Sequence, residues 1–481
     1  MASWPDPNGA LTNTRVAPGA TISSANVSKL EPAWVFKLTG PAAAGVDGAG
    51  SLAANPIVQG GVVYVQDLDA NVYALSLSTG QLEWEYECNT PEKSGPGPNG
   101  VAVAAGTVYG QTPTTAFALN ATTGKQIWSD GHVLAKGQGT FGIQPQVADG
   151  RVYLASQYGI GPGGGILIAL NASTGAVLWT FNTVTGEDAG VKSLGAGSGG
   201  AWETPLVGSD GSVTFGIGNP YQSLGSAINH PAAQLYTNSD VNLNATTGKL
   251  RWYYQAVPND FKDWDLQTSP ISAVVGGVRV VIGSGKMGIV YEMNAATGKL
   301  IWKTPVGQHN GTDNDSLKLL EHRLTIKLPY TIDPGALGGV LTDLALADGT
   351  VYVATLNLPL TYTSLSQASP AKVAGAPSGE VEALSLATGK VTWATRLKQL
   401  PLGAATVSND LLFTTTENGS LIALSRRTGA IVYQRELPTT TNAPIAIAGD
   451  NVIVPTGGVA GKLGARSLSP QVDAYRLSAH H

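Results

Sequence analysis

Three acids crowd one short stretch of this chain. Asp260, Asp263 and Asp265 lie within Val257-Pro258-Asn259-Asp260-Phe261-Lys262-Asp263-Trp264-Asp265-Leu266, and Asn219 precedes them in Gly218-Asn219-Pro220. Carboxylate and amide oxygens of this kind suit a hard cation such as calcium or, by the same reasoning, a lanthanide. The same residue types also populate loops because they close turns, and spacing alone leaves both readings open. His309, in Gln308-His309-Asn310-Gly311-Thr312-Asp313-Asn314-Asp315, is either a further ligand or a solvated loop histidine, and the spacing favours the latter. His132, His230 and His322 are isolated and form no constellation. The single cysteine, Cys88, excludes an intramolecular disulfide and any cysteine-built zinc or iron–sulfur centre. No nucleophile elbow, phosphate loop or metalloprotease helix motif occurs, and no C-x-x-C-H for covalent haem.

The elements that must position these groups come from a repeat. Ala74-Leu75-Ser76-Leu77-Ser78-Thr79-Gly80-Gln81-Leu82-Glu83-Trp84 recurs with its aromatic at Trp128, Trp179, Trp252, Trp302, Trp393 and Tyr433. The turn glycines are Gly80, Gly124, Gly175, Gly248, Gly298, Gly389 and Gly429. Each copy reads as strand, tight turn, strand, with glycine supplying positive φ and the aromatic expected to pack on the following strand. A second hairpin signal, such as Pro56 to Val65 or Pro145 to Leu154, precedes most copies. Two hairpins make a four-stranded antiparallel unit the size of a propeller blade. Val472 to Leu477 has the form of the strand before the turn, and Leu30 to Phe36 that of the strand after it. The expectation is an all-β, eight-bladed β-propeller spanning 1–481 as one domain, with the last blade closed by both termini. A seven-bladed ring with a separate N-terminal segment is the alternative.

Two glycine-to-glycine spacings are long, 73 residues from Gly175 to Gly248 and 91 from Gly298 to Gly389. Insertions are therefore expected at about 181–240, 303–340 and 357–380, on the face that carries binding loops, with Thr363 to Gly379 a mobile surface loop. Of ten tryptophans only Trp4, Trp202 and Trp264 lie outside the repeat position, and two of these fall near the acids. Charged residues make up 13% of the chain and the net charge is −5, with no basic stripe, which argues against a nucleic-acid partner. No apolar run reaches the ~18 residues needed to span a bilayer. The start carries no signal-peptide pattern and the end is His480-His481, so a native address segment is expected to have been removed.

The repeat, the opening Asn13-Thr14-Arg15, the Ala25-Asn26-Val27-Ser28-Lys29-Leu30 stretch, Gly218-Asn219-Pro220 and the Asp260-x-x-Asp263 spacing together resemble pyrroloquinoline-quinone (PQQ) dependent alcohol dehydrogenases. The turn repeat alone is shared with the propeller lipoprotein of the outer-membrane assembly machinery. The order of the Trp202, Asn219 and Asp263 segments favours the dehydrogenases. The resemblance implies that Trp202 forms the floor beneath the planar quinone and that Lys286 is the cation near the quinone oxygens. It implies that Asp263 is the base taking the alcohol proton as hydride passes to metal-bound PQQ. Gln157, Asn219, Asp263 and Asp265 would be the metal shell, for calcium or a lanthanide. It further implies a small-molecule or polymeric alcohol substrate, a separate electron acceptor, and a secreted or periplasmic location.

This chain departs from that pattern at four places. Gln157, in Ser156-Gln157-Tyr158-Gly159, stands where the family has a metal-binding glutamate, which removes one negative charge. Asn99 lies where an arginine usually pairs with the cofactor carboxylates. The vicinal cysteine pair is absent, and Lys262 replaces the tryptophan before the catalytic aspartate. Three readings follow: a quinone-dependent alcohol oxidoreductase, a non-catalytic propeller that lost the cofactor site and binds a protein or glycan through its loop face, or an enzyme with different chemistry in the same central funnel.

Overall fold

A computed structural model describes residues 2–39, 50–88, 99–157, 164–184, 198–457 and 470–478. Tyr158-Gly159, part of the first insertion and His480-His481 lie outside the described residues. The fold is all-β and propeller-like: the described residues form seven four-stranded antiparallel sheets, one five-stranded sheet and a smaller three-stranded sheet. Within most sheets the strands follow chain order. One differs: its strands Ala446–Ala448, Asn451–Thr456 and Gln471–Leu477 are completed by Leu30–Lys37, from the other end of the chain. First strands of successive sheets lie side by side, from Ile57–Gln59 through Ala102–Ala104, Gln146–Ala148 and Leu206–Gly208 to Ile271–Val275. On the other side Ala345–Ala347 meets Thr406–Ser408, which meets Ala446–Ala448, which returns to Ile57–Gln59.

The repeated tryptophan holds one sheet to the next. It lies on the turn of the next copy, and Trp84 also shares an apolar cluster with Val103 of the following strand Ala102–Ala104. Trp34 lies against Gly80, Trp84 against Gly124, Trp128 against Gly175, Trp179 against Gly248, Trp252 against Gly298, Trp302 against Gly389 and Trp393 against Gly429. In every pair a β-carbon on the glycine would fall 2.5–2.7 Å from the indole, and each of these glycines has positive φ. Each indole Nε1 also donates to a backbone carbonyl just before that turn, at 2.8–3.0 Å. Burying an indole removes about 150–250 Å² from water, an upper bound of about 4–6 kcal/mol per joint. Glycine is required here twice over, for its φ and for the ring's approach. Tyr433 takes the aromatic position in the copy that precedes the mixed sheet, and packs into the cluster with Leu30 and Tyr475.

An N-terminal segment crosses the inner strands. Trp4 and Val58 exchange backbone hydrogen bonds, Thr12 O and Thr14 O accept from Ser272 N and Leu346 N, and Arg15 O accepts from Val407 N. The Arg15 side chain is fully buried and donates to Ala405 O, Asn8 Oδ1, Asn55 Oδ1, Thr406 Oγ1 and Ile445 O. All of its donors thus meet neutral acceptors, and one side chain ties together three sheets.

The insertions pack on each other and on the acidic loop. Helix Leu224–Asn229 contacts helix Asp315–Leu320, and Tyr330–Ile332, Leu360–Tyr362 and Lys372–Val373 form the three-stranded sheet. Part of the stretch expected as a mobile loop is therefore a strand. Leu224, Ala227, Leu319, Ile332 and Tyr362 share one apolar cluster with Phe261 and Trp264, which fixes the loop between those two aromatics. Among the described residues no helix is long and apolar enough to cross a membrane.

Candidate active site

The loop from 256 to 270 joins strand Leu250–Gln255 to strand Ile271–Val275 of the next sheet. Its first acid, Asp260, is consumed in shaping it: Oδ1 accepts from Lys262 N and Oδ2 from Trp264 N, both at 2.9 Å. Asp260 is thus a turn-forming residue, the bland alternative that spacing had left open. The turn places Asp263 at φ +62°, a conformation that non-glycine residues adopt rarely and that clusters at functional sites. Its neighbours Phe261, Lys262 and Trp264 point into the core, each at most 1% exposed.

Asp263 and Asp265 converge with Asn219 and Lys286. Asn219 donates its backbone N–H to Asp265 Oδ1 at 2.8 Å. Its Nδ2 reaches Asp265 Oδ1 at 2.7 Å and Asp263 Oδ1 at 2.8 Å. Lys286 Nζ lies 2.6 Å from Asp265 Oδ2 and 3.2 Å from Asp263 Oδ1. Lys286 sits on the tight turn Gly285–Gly288, held because its N–H donates to Asp265 O and because Gly285 O accepts from Val340 N. A β-carbon at Gly339 would fall 2.1 Å from Lys286 O, so only glycine lets the two backbones meet.

The side chains of Asp263, Asp265 and Lys286 are 14%, 2% and 8% exposed. Burial pushes the Asp263 carboxyl up, to about 6, against the pull of the Lys286 ammonium and with a further push from Asp265. Burial works against the Lys286 charge, but the two carboxylates outweigh it and hold the ammonium protonated.

Trp202 adjoins this group through Gly218. A β-carbon there would lie 2.1 Å from Trp202 Cζ3 and 2.7 Å from Asp265 Oδ1, so the ring edge, the Gly218 backbone and the carboxylate are in direct succession. Trp202 itself is 8% exposed.

Gln157 is one backbone layer away. Its Cα lies 3.0 Å from where a Gly200 β-carbon would be, and Gly200 O accepts from Gly218 N. Gln157 ends strand Arg151–Gln157, as Gln66 ends Val62–Gln66 and Gln111 ends Thr107–Gln111. Those two glutamines donate Nε2 across to the next sheet, to Gln111 O and to Ile143 O. Gln157 breaks the pattern: it is fully buried, its amide lies on Gly142, and among the described residues neither amide atom has a hydrogen-bond partner. Asn99, whose N–H donates to Gly142 O, is equally buried with an unpartnered Nδ2. The structure therefore joins Asn219, Asp263, Asp265 and Lys286, sets Trp202 beside them, and leaves Gln157 near Asn99 with no hydrogen bond to the group.

Among the described residues no three His, Cys, Asp or Glu side chains cluster as a metal site, so a cation here would need amide ligands. Two carboxylates and an amide are the residue types a hard cation takes, but here Asn219 turns Nδ2 to the acids while its Oδ1 accepts from Tyr221 N, so ligation requires that amide to turn; the Gln157 amide oxygen has no hydrogen-bond partner among the described residues. An indole such as Trp202 and a cation such as Lys286 are the residue types that a planar anionic quinone takes.

His309 is not the solvated loop residue that its spacing favoured. Its side chain is 13% exposed, with Nδ1 at 2.7 Å from Asp313 Oδ1 and Nε2 facing Gly288 O and Val306 O.

Residues 4–105 and 147–310 match the family described as "Glucose/ethanol/alcohol dehydrogenase, beta-propeller domain". The second block contains Gln157, Trp202, Asn219, Asp263, Asp265 and Lys286. The chain belongs to this family. Residues 89–198 and 331–470 also match "Outer membrane protein assembly factor BamB", in keeping with the shared repeat, and omit Trp202, Asn219 and the acidic loop. Among relatives of this dehydrogenase family, the chain is 24% identical to the quinoprotein alcohol dehydrogenase PedH of Pseudomonas putida, over 87% of this chain and 79% of that one. It is 26% identical to a quinohemoprotein alcohol dehydrogenase of Comamonas testosteroni, over 97% of this chain and 74% of that one. The crystal structure of the Comamonas testosteroni quinohemoprotein alcohol dehydrogenase superposes with a TM-score of 0.82 at 21% identity, covering 100% of this chain and 81% of that one. A europium-containing methanol dehydrogenase gives 0.81 at 20% identity, covering 99% and 98%. BamB from Moraxella catarrhalis gives 0.55 at 13% identity, covering 94% and 99%.

Proposed function

We propose that the protein is a quinoprotein oxidoreductase that oxidises an alcohol, with PQQ over Trp202 and calcium or a lanthanide held by Asn219, Asp263 and Asp265. Gln157 is the reserve ligand, reaching the cation by turning its unpartnered amide. The observation that carries this reading is the convergence of one exposed-edge carboxylate, Asp263, with Asp265, Asn219 and Lys286 beside a buried indole. When bound, the quinone supplies a two-electron acceptor for the carbinol hydride, and a separate protein takes the electrons onward. Asp263 is the proton acceptor: it is the most exposed of the three charged groups, and burial raises its affinity for a proton. Asn219 orients Asp263 by a hydrogen bond to the same oxygen that Lys286 approaches. Lys286 stays protonated and offers a fixed positive charge where negative charge develops on the acceptor.

The same reading takes the chain as a single domain, 1–481, forming an eight-bladed ring. It is supported by the inner-strand order and by the pairing of Leu30–Lys37 with Gln471–Leu477. The insertions at about 181–240, 303–340 and 357–380 form the substrate-facing cover. By analogy with the dehydrogenases it resembles, the protein works outside the cytoplasm on small-molecule or polymeric alcohols, with no nucleic-acid partner.

A second reading, a non-catalytic propeller, draws on one observation: Lys286 bridges both carboxylates, so the cluster is already partly neutralised without a cation. Purified protein titrated with PQQ and calcium or lanthanum, followed by dye reduction over an alcohol panel, separates the two. Saturable binding and turnover that is lost in Asp263→Asn support the enzyme. No saturable PQQ binding with either ion leaves the binding scaffold.

A further inference from the structure

Segment 307–315 lies outside the Asp263–Lys286 group yet touches both its arms, one at a backbone carbonyl and the other at the Lys262 side chain. On one side His309 Nε2 lies 3.1 Å from Gly288 O and 3.0 Å from Val306 O, at the end of the turn that carries Lys286. The approach is close: a β-carbon at Gly288 would fall 3.2 Å from that nitrogen. On the other side Lys262, fully buried and adjacent to Asp263, donates Nζ to Thr312 O at 2.5 Å and rests 3.8 Å from the Trp264 ring. The segment is itself anchored away from the site. Gly307 N donates to Glu382 Oε1, Gln308 N to Asn357 Oδ1, and Asn310 N and Nδ2 to Asp333 O and Thr331 O.

We propose that His309 and Lys262 are positioning residues through which segment 307–315 braces Lys286 and Asp263 from outside the site. The catalytic meaning of the brace rests on the oxidoreductase reading; the brace itself does not. Three acceptors face the two ring nitrogens of His309, so only the imidazolium donates on both sides. Burial opposes that charge, but the Asp313 hydrogen bond and charge, with the two carbonyls, raise the His309 pKa above its ordinary value. The other groups that face it are Asp333 and Glu382, both acidic, and the one neighbouring cation, Lys262, shares Asp313 with it. As pH rises through the His309 pKa, one ring proton leaves, and either Asp313 or the Gly288 and Val306 carbonyls lose their donor. The brace is therefore intact at lower pH and slackens as pH rises.

The test uses the full chain without added cofactor. Nitrogen-15 spectra of the histidine rings are expected to find both His309 nitrogens protonated at pH 7. Amide hydrogen exchange at Lys286 and Gly288 is expected to quicken about 3–10-fold in His309→Asn, the loss of one such hydrogen bond, with no change in Ala116–Asn120. After correction for intrinsic rates, wild-type exchange at Lys286 rises with pH and the His309→Asn profile is flat; Lys262→Met quickens exchange from Phe261 to Asp265. A neutral His309 at pH 7, or Lys286 exchange unaltered in His309→Asn, overturns the proposal. The ring spectra are read on wild-type protein, so a variant that fails to fold leaves them standing. Neither measurement depends on whether the protein turns over an alcohol.

Discussion

Gly218→Ala tests the link between the indole and the carboxylates without touching a charged group. The Gly218 φ is not positive, so the added methyl strains no backbone; it only meets Trp202 Cζ3 at 2.1 Å and Asp265 Oδ1 at 2.7 Å. Ordinary carbon contacts lie near 3.5–4.0 Å, so the ring must retreat by about 1.5 Å or push Gly218 into Asp265. Overpacking of this kind costs about 1–3 kcal/mol of stability. A displaced ring also loses stacking worth about 0.5–1.5 kcal/mol, which weakens quinone binding about 2–10-fold. Gly211→Ala, in the same sheet, is the control: φ is +72° and nothing lies within 4 Å, so it pays the backbone cost of about 1 kcal/mol and leaves binding alone. The assays are denaturant titration, quinone titration by indole quenching, and the Trp202 indole resonance. Wild-type quinone affinity in Gly218→Ala, with an unmoved Trp202 resonance, would refute the argument that Gly218 spaces the ring from the acid.

Gly124→Ala and Gly106→Ala both place alanine at positive φ, but only the first meets an indole, with Trp84 Cε3 at 2.7 Å, so it should cost about 1–3 kcal/mol more by denaturant titration. Asp263→Asn should abolish alcohol-dependent dye reduction and retain quinone binding, read by indole quenching. Burial raises the carboxyls of Asp67 and Asp473 to about 6 and of Asp240, Glu292 and Glu382 to about 7. A carboxyl raised in the native state stabilises it below the unfolded pKa and loses that contribution as pH rises through the folded value. Thermal melting should therefore occur at a lower temperature at pH 8 than at pH 5, and Asp240→Asn should flatten the difference.

The sheets were legible because their signal is local: a positive-φ glycine and an indole four residues later recur with little variation. The docking partner was not, because the contact joins different copies, and nothing in one copy says that Trp84 meets Gly124 rather than its own sheet. The acidic loop was found from composition, but its acids look alike in sequence. Only the fold reveals that Asp260 bonds its own backbone while Asp263 and Asp265 face Asn219 and Lys286. Lys262 was noted as a missing tryptophan; that a lysine can be fully buried there depends on Thr312 O and the Trp264 face, contributed partly from an insertion. Gln157 was visible by alignment to a motif, yet its unpartnered state emerges only beside Gln66 and Gln111.

Arg15 and the strand Leu30–Lys37 have partners some 390 to 450 residues later in the chain. At ribosomal speeds of about 5–20 residues per second, these segments wait roughly 20–90 s before Ala405, Ile445 and Val472 exist. Through that interval Arg15 lacks three of its five acceptors, Ala405 O, Thr406 Oγ1 and Ile445 O, and an eight-residue strand has an open edge. The slow, exposed moment on the way to this fold is thus the wait for residues 405–477, and the residues at risk, Arg15 and Leu30–Lys37, precede them by some 390 to 450 positions.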